Sequence, residues 1–397
     1  MSTEPQPDGG RTLPERIRAP FEGPNTIGNS KPFWSGFLVA LGLFVLYPLL
    51  APVLGGVPVV SGLLLGADQL SVFFVVALLA LSLALVWGYS GVLSFGQVVF
   101  FGIGGYTFGV ASINFSTPAG ITGSVLLGIL FGGLSAAVLG YFMFYGGVRD
   151  VYVTIITLVA TMVMLTFMAQ TAGSEWTIGK AALGGFNGMP DIPLLKLGIG
   201  GFSFQFVFNA MPVAVPGYGT VEVSPFYYLS LVLLLASYLG LRALVNSDYG
   251  RVMVAVREDE DRTEMFGYNT TRVKFTVFTL GGALAGLSGV LFAARNVYID
   301  PSVFSLLRAT LPVIWVSVGG RKSLLGAVVA TIGIEYLRIS LAGEWALVAL
   351  GGVLVVSVLL LPGGLVPWIH NRVVRWRSDS GELAGPESPD SPTEVSD

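Results

Sequence analysis

Residues Asn246 to Lys274 read NSDYGRVMVAVREDEDRTEMFGYNTTRVK, an island of charge between two apolar runs, Phe226–Leu244 and Val273–Leu291. In it or beside it stand Arg242, Arg251, Arg257, Arg262, Arg272 and Lys274, with Asp248, Glu258, Asp259, Glu260, Asp261 and Glu264. A charge at membrane depth costs about 2.5–3.5 kcal/mol on insertion scales. The island therefore lies in water between two membrane helices, and its basic residues predict the cytoplasmic side. Val252, Met253, Val256, Met265 and Phe266 recur at helical spacing, which predicts short amphipathic helices. Gly267 is read as a helix stop and Asn269-Thr270-Thr271 as the cap of the next helix. A loop that folds in water and shows apolar residues to it is a docking surface; the other reading is a solvated linker.

The chain around the island carries the same message. Of 397 residues, 53% are hydrophobic and 11% charged, against about a quarter charged in soluble domains. Runs long enough to cross a bilayer as helices recur along it. The expected fold class is an all-α polytopic membrane protein. Without cysteine there are no disulfides and no thiol chemistry. The one histidine, His370, is read as an interfacial residue at the end of the last span.

Taken in order, residues 1–34 lack a signal peptide's apolar core and are read as a disordered cytoplasmic segment held inside by Arg11, Arg16, Arg18 and Lys31. The membrane domain is expected over 35–370. Its spans fall near 35–54, 69–87, 87–110, 121–145, 151–171, 226–245, 273–293, 305–318, 324–341 and 345–366, about ten crossings with both termini cytoplasmic. The short run 305–318 is also readable as re-entrant. Segment 172–225 then falls outside, and 371–397 reads as a disordered acidic cytoplasmic tail.

Two breaks interrupt the apolar pattern. Gly88, Gly91, Ser94, Gly96, Gln97, Gly102, Gly104, Gly105 and Gly109 crowd the stretch Trp87–Val110. Glycines allow close helix packing, as in Gly105-x-x-x-Gly109, and also allow a helix to break beside a polar path. Ser94 and Gln97, one turn apart, point to a polar path; Gly281, Ala285 and Gly289 point to packing. The second break holds Trp315, Ser317 and Gly319-Gly320-Arg321-Lys322-Ser323. A Walker A loop needs a glycine where Arg321 stands, so this is no nucleotide site. It reads as a helix-to-helix turn at the cytoplasmic end of the path. Glu335 and Arg338, at i and i+3, can pair within a span, as a functional site or an interfacial structural pair. No nucleophile with a base and no metal-ligand cluster stands out, so an enzyme is not expected.

Three segments, Gly88–Val110, Gly250–Leu291 and Pro312–Gly326, resemble the membrane subunit of ABC importers for branched-chain amino acids and related amides. Such permeases carry a loop of the form Glu-Ala-Ala, three residues, Gly that docks in the ATPase; here Asp261 and Gly267 match, while Arg262 and Thr263 replace the alanines. The resemblance implies coupling through Arg257, Glu258, Asp261, Arg262, Gly267 and Tyr268. It also implies a heterodimer with a second homologous permease, two cytoplasmic ATP-binding subunits and an extracytoplasmic solute-binding protein. ATP and Mg would be bound by those partners and no cofactor by this chain; the lipid bilayer is its solvent, and no nucleic acid is expected. Within the family, IWVSVGGRKSLLGA at Ile314–Ala327 and GGFNGMP at Gly184–Pro190 resemble the urea and short-chain amide branch.

The expected function is thus a plasma-membrane importer permease for urea or a short amide. Neutral groups such as Ser94, Gln97 and Ser317 suit an uncharged substrate, with Trp315 beside them. The alternatives are a branched-chain amino acid importer, then a secondary transporter or channel. A branched-chain amino acid wants an apolar pocket with groups for both ends of a zwitterion, and no such pair is legible in the sequence.

Overall fold

The computed structural model describes residues 21–26, 31–54, 67–199, 202–206, 211–215, 219–341, 345–360, 363–369 and 372. Arg11, Arg16, Arg18, His370 and the tail 373–397 lie outside the described residues.

The helices are α1 (Lys31–Leu54), α2 (Ala67–Ser90), α3 (Gln97–Asn114), α4 (Pro118–Gly140), α5 (Asp150–Ala169), α6 (Pro225–Asn246), α7 (Asp248–Glu258), α8 (Glu260–Met265), α9 (Thr270–Asn296), α10 (Leu306–Gly319), α11 (Leu324–Ser340) and α12 (Trp345–Leu360). The chain is a mostly α-helical polytopic membrane protein. Segment 172–223 adds three antiparallel hairpins, β1–β2 (Thr177–Ile178, Ala181–Ala182), β3–β4 (Leu195–Ile199, Phe202–Phe206) and β5–β6 (Met211–Val215, Gly219–Val223).

Helix α2 is apolar on every side and buried on every side, with Phe73, Leu78 and Leu85 wholly enclosed, as an all-round hydrophobic helix must be. Beside it α9 packs into α3 and α4 by its small residues. A Cβ on Gly104 would stand 2.6 Å from the Gly286 Cα, one on Gly132 2.7 Å from the same atom, and one on Gly289 1.8 Å from the Phe101 carbonyl oxygen. The backbones touch there, so these glycines set the distance between helices. Phe278 closes the layer edge-on against Phe100 and Phe144. By contrast α4 and α5 carry outward rows such as Leu126, Leu130, Leu134 and Ile155, Val159, Val163.

By length and composition 5 of the described helices can cross a membrane, 6 if the pair α10–α11 is one span. The count takes only long helices among the described residues and leaves out shorter apolar ones such as Phe33–Pro48 in α1, which the ten expected crossings include. The chain unwinds over 91–96 before α3 begins, and α10 has only 14 residues, about 21 Å of rise against a hydrocarbon core of about 30 Å. Helices α10 and α11 bend back on each other by 118° at the turn where Gly320 adopts φ +103.

Candidate functional site

The charged island folds as three capped helical ends. Ser247 Oγ accepts from the Gly250 N–H at 3.3 Å and starts α7; Asp259 Oδ1 accepts from the Arg262 N–H at 2.9 Å and starts α8; Asn269 Oδ1 accepts from the Arg272 N–H at 2.7 Å and starts α9. Gly267, at φ +87, makes the turn between the last two. Lys274 Nζ meets Glu260 Oε2 at 2.6 Å, and Thr270 Oγ1 donates to Glu264 Oε1 at 2.5 Å. Met253 and Val256 are buried against the membrane helices, whereas Met265 is 86% exposed, Phe266 76% and Tyr268 52%. The stripe is split between inward anchors and an outward apolar knob, flanked by exposed Asp261 and Arg262.

Three stretches that are far apart in sequence meet at the end of α7. The Arg257 guanidinium donates to the Gly88 carbonyl oxygen at the end of α2 and to Glu258 Oε1 at 2.5 Å. Lys322, in the α10–α11 turn, reaches the same Glu258 oxygen at 3.1 Å. The hydrogen bonds from Arg257, then those from Lys322, hold the Glu258 carboxyl below the usual range. A Cβ on Gly88 would stand 2.0 Å from the Arg321 carbonyl, and one on Gly91 3.2 Å from the Arg257 side chain, so the contact needs glycine at both places. The Tyr89 hydroxyl donates towards the carbonyls of Asn25 and Lys322, both at 3.3 Å. Beside the junction, Asn25, Tyr89, Arg257, Arg321 and Lys322 border a cavity of about 490 Å³.

A larger cavity, about 520 Å³, opens between α2, α3, α10 and α11. Valines and leucines of α2 and α10 line it with Phe101, and Arg308, Trp315, Glu335 and Arg338 also face it. The volume is typical of a small-molecule site. Glu335 is 1% exposed and is held by Arg338, whose Nη2 and Nε lie 2.6 and 2.9 Å from Glu335 Oε2.

Among the residues read from sequence as path-lining, Trp315 faces this cavity and Ser317 is partly buried two positions on. Ser94 and Gln97 are 1% exposed and sit in packed surroundings: Ser94 Oγ accepts from the Gly96 N–H at 3.0 Å, and Ser82 Oγ donates to Gln97 Oε1 at 3.2 Å. A Cβ on Gly96 would meet Thr157, while Gly105 abuts Ile299 and Gly289 and Gly109 abuts Met189. Gly319 lies against the Gly326 carbonyl, closing the α10–α11 turn. The sequence reading placed Lys322 in the second break without giving it a contact, and gave Arg308 no role. Arg308 carried a usable signal, an arginine in an apolar run.

A bundle of this kind, with a capped polar loop tied to its helix breaks and a cavity between its half-helices, is that of a membrane permease. Over residues 66–361 the chain matches the family described as branched-chain amino acid transport system / permease component, and it belongs to that family. The high-affinity branched-chain amino acid transport system permease protein LivM of Salmonella typhimurium is 28% identical over 338 residues, 81% of this chain and 74% of the relative. LivM of Escherichia coli is 28% identical over 316 residues, 76% and 69% of the two chains. The fructose import permease protein FrcC of Rhizobium meliloti is 25% identical over 145 residues, 34% of this chain and 40% of that one. No solved structure matches the chain.

Proposed function

We propose that the chain is a translocating subunit of an ATP-driven importer for branched-chain amino acids. The junction at Arg257 carries the transport half of this reading. A loop that shows Met265 and Phe266 to water is joined through Arg257, Glu258 and Lys322 to both helix breaks, so a force on the loop is delivered to α2, α10 and α11 together. An isolated linker needs no such tie. The names of the two LivM relatives favour the branched-chain alternative over the urea reading, which rested on short stretches around Ile314–Ala327 and Gly184–Pro190.

In this reading two ATP-binding subunits, loaded with ATP and Mg, grip the knob Met265–Tyr268 with Asp261 and Arg262. Closure of the ATPases rocks α7 and α8 and transmits the movement to α6 and α9. A second homologous permease covers the apolar faces of α4 and α5, and a solute-binding protein delivers the amino acid at the end that carries the hairpins. The loop and both termini lie in the cytoplasm.

Uptake of labelled leucine, with urea as competitor, in cells with and without the gene tests this. Leucine uptake that needs the gene and ATP and ignores urea is the expected result. Urea uptake lost with the gene instead would return the chain to the amide branch, and uptake without ATP would remove the importer reading.

A further inference from the structure

The cavity between α2, α3, α10 and α11 holds an unusual set of unmet polar groups. Both hydrogen bonds from Arg338 fall on Glu335 Oε2, and Glu335 Oε1 is buried without a partner. The Trp315 indole N–H, on a side chain 2% exposed, is also without one. The Arg308 guanidinium lies over the Phe292 ring at 5.1 Å and forms no ion pair among the described residues. Buried polar atoms are nearly always hydrogen-bonded, and an orphaned one costs the full desolvation of that group. The rest of the wall is apolar: Val72, Val76 and Leu79 from α2, Val98 and Phe101 from α3, Leu311 from α10.

A carboxylate oxygen without a partner, a guanidinium without an ion pair and an indole N–H without an acceptor, beside an apolar wall, complement a zwitterion with an aliphatic side chain. An uncharged diamide such as urea offers Arg308 no carboxylate and would leave the apolar wall without contact. We infer that this cavity is a substrate site within the permease itself, an inference that rests on the proposed amino acid import. The substrate ammonium donates to Glu335 Oε1, its carboxylate is held by Arg308 with the Trp315 N–H as a further donor, and its branched side chain lies on Val76, Leu79 and Leu311. Arg338 is a positioning residue: it orients the Glu335 carboxylate and leaves one oxygen for the substrate. Arg308 and Glu335 stand on the two arms of the α10–α11 bend, whose turn carries Lys322. A pull on that turn therefore changes their separation and opens or closes the grip on the two ends of the amino acid.

The test is equilibrium binding of tritiated leucine to the purified complex of permeases and ATPases without the solute-binding protein. Competitors keep one end only: isopentylamine keeps the ammonium and 4-methylvalerate the carboxylate. Saturable binding is expected, displaced by isoleucine and valine and untouched by urea, with each one-ended analogue weaker by about 10- to 100-fold. Arg308→Gln should lower leucine affinity to that of isopentylamine and leave isopentylamine where it was. The analogue series on the unaltered complex needs no variant to fold. One-ended analogues that match leucine, or urea that displaces it, overturn the site. No saturable binding, while cells still take up leucine through this gene, overturns the site alone; gene-independent leucine uptake overturns the import reading beneath it.

Discussion

Lys322 Nζ lies 3.1 Å from Glu258 Oε1 and ties the turn between α10 and α11 to the end of the charged-loop helix α7. Both side chains are more than half exposed, 53% and 57%, so the pair adds under about 1 kcal/mol to stability. Its value lies in where it pulls. Lys322→Glu should leave thermal unfolding almost unchanged and cut ATP-driven leucine uptake about tenfold or more. The double exchange Glu258→Lys with Lys322→Glu should recover part of that loss. Uptake unaffected by the single exchange would remove the tie from the transport cycle.

Acid should act on the same contact. Arg257 first, and Lys322 after it, lower the Glu258 pKa. A lowered native pKa means that the carboxylate's contribution is present in full above the ordinary Glu range and is lost as pH falls through the lowered value. The unfolding temperatures of wild type and Glu258→Gln should therefore differ by a small, constant amount near neutral pH and converge only as pH falls through the lowered Glu258 value. A gap that grows on acidification would contradict the assignment.

Gly267 turns the chain between α8 and α9 at φ +87, and a Cβ there would meet nothing within 4 Å. Space is free, so the cost of Gly267→Ala is conformational, about 1–2 kcal/mol. Asn tolerates this region better, and Gly267→Asn should restore much of the loss in a thermal unfolding series.

Crowding governs Gly289, where a Cβ would stand 1.8 Å from the Phe101 carbonyl oxygen. Gly289→Ala must push α9 away from α3 and should cost about 1–3 kcal/mol or more. Gly123, on α4, has nothing within 4 Å, and Gly123→Ala should be neutral or slightly stabilising. Unfolding in the same detergent separates the two.

The knob Met265–Phe266 supplies a clean separation of stability from coupling. Both side chains are exposed, and removing them disturbs no packing within this chain. Met265→Ser with Phe266→Ser should shift stability by less than about 0.5 kcal/mol. Co-purification with the ATP-binding subunits and ATP-driven uptake should both be lost; retention of both would end the docking assignment.

Local chemistry was legible in the residues alone. The charges of 246–274 forced a watery loop, Gly267 marked its turn, and Asn269 marked the cap of α9, because insertion cost, positive φ and capping depend on residues a few positions apart. The breaks at Gly88–Gly96 and Gly319–Ser323 were legible for the same reason. Nothing local says which faces meet. Ser94 and Gln97 are buried beside Gly96 and Ser82, a setting their spacing does not show, while Arg308 and Glu335, far apart in sequence, reach one cavity from separate helices. The 118° bend between α10 and α11 was likewise beyond the sequence, which left 305–318 readable as a span or as re-entrant. Hydropathy and caps are properties of the chain near one residue; a cavity and a fold-back are set by contacts between distant helices, and only the tertiary structure decided those.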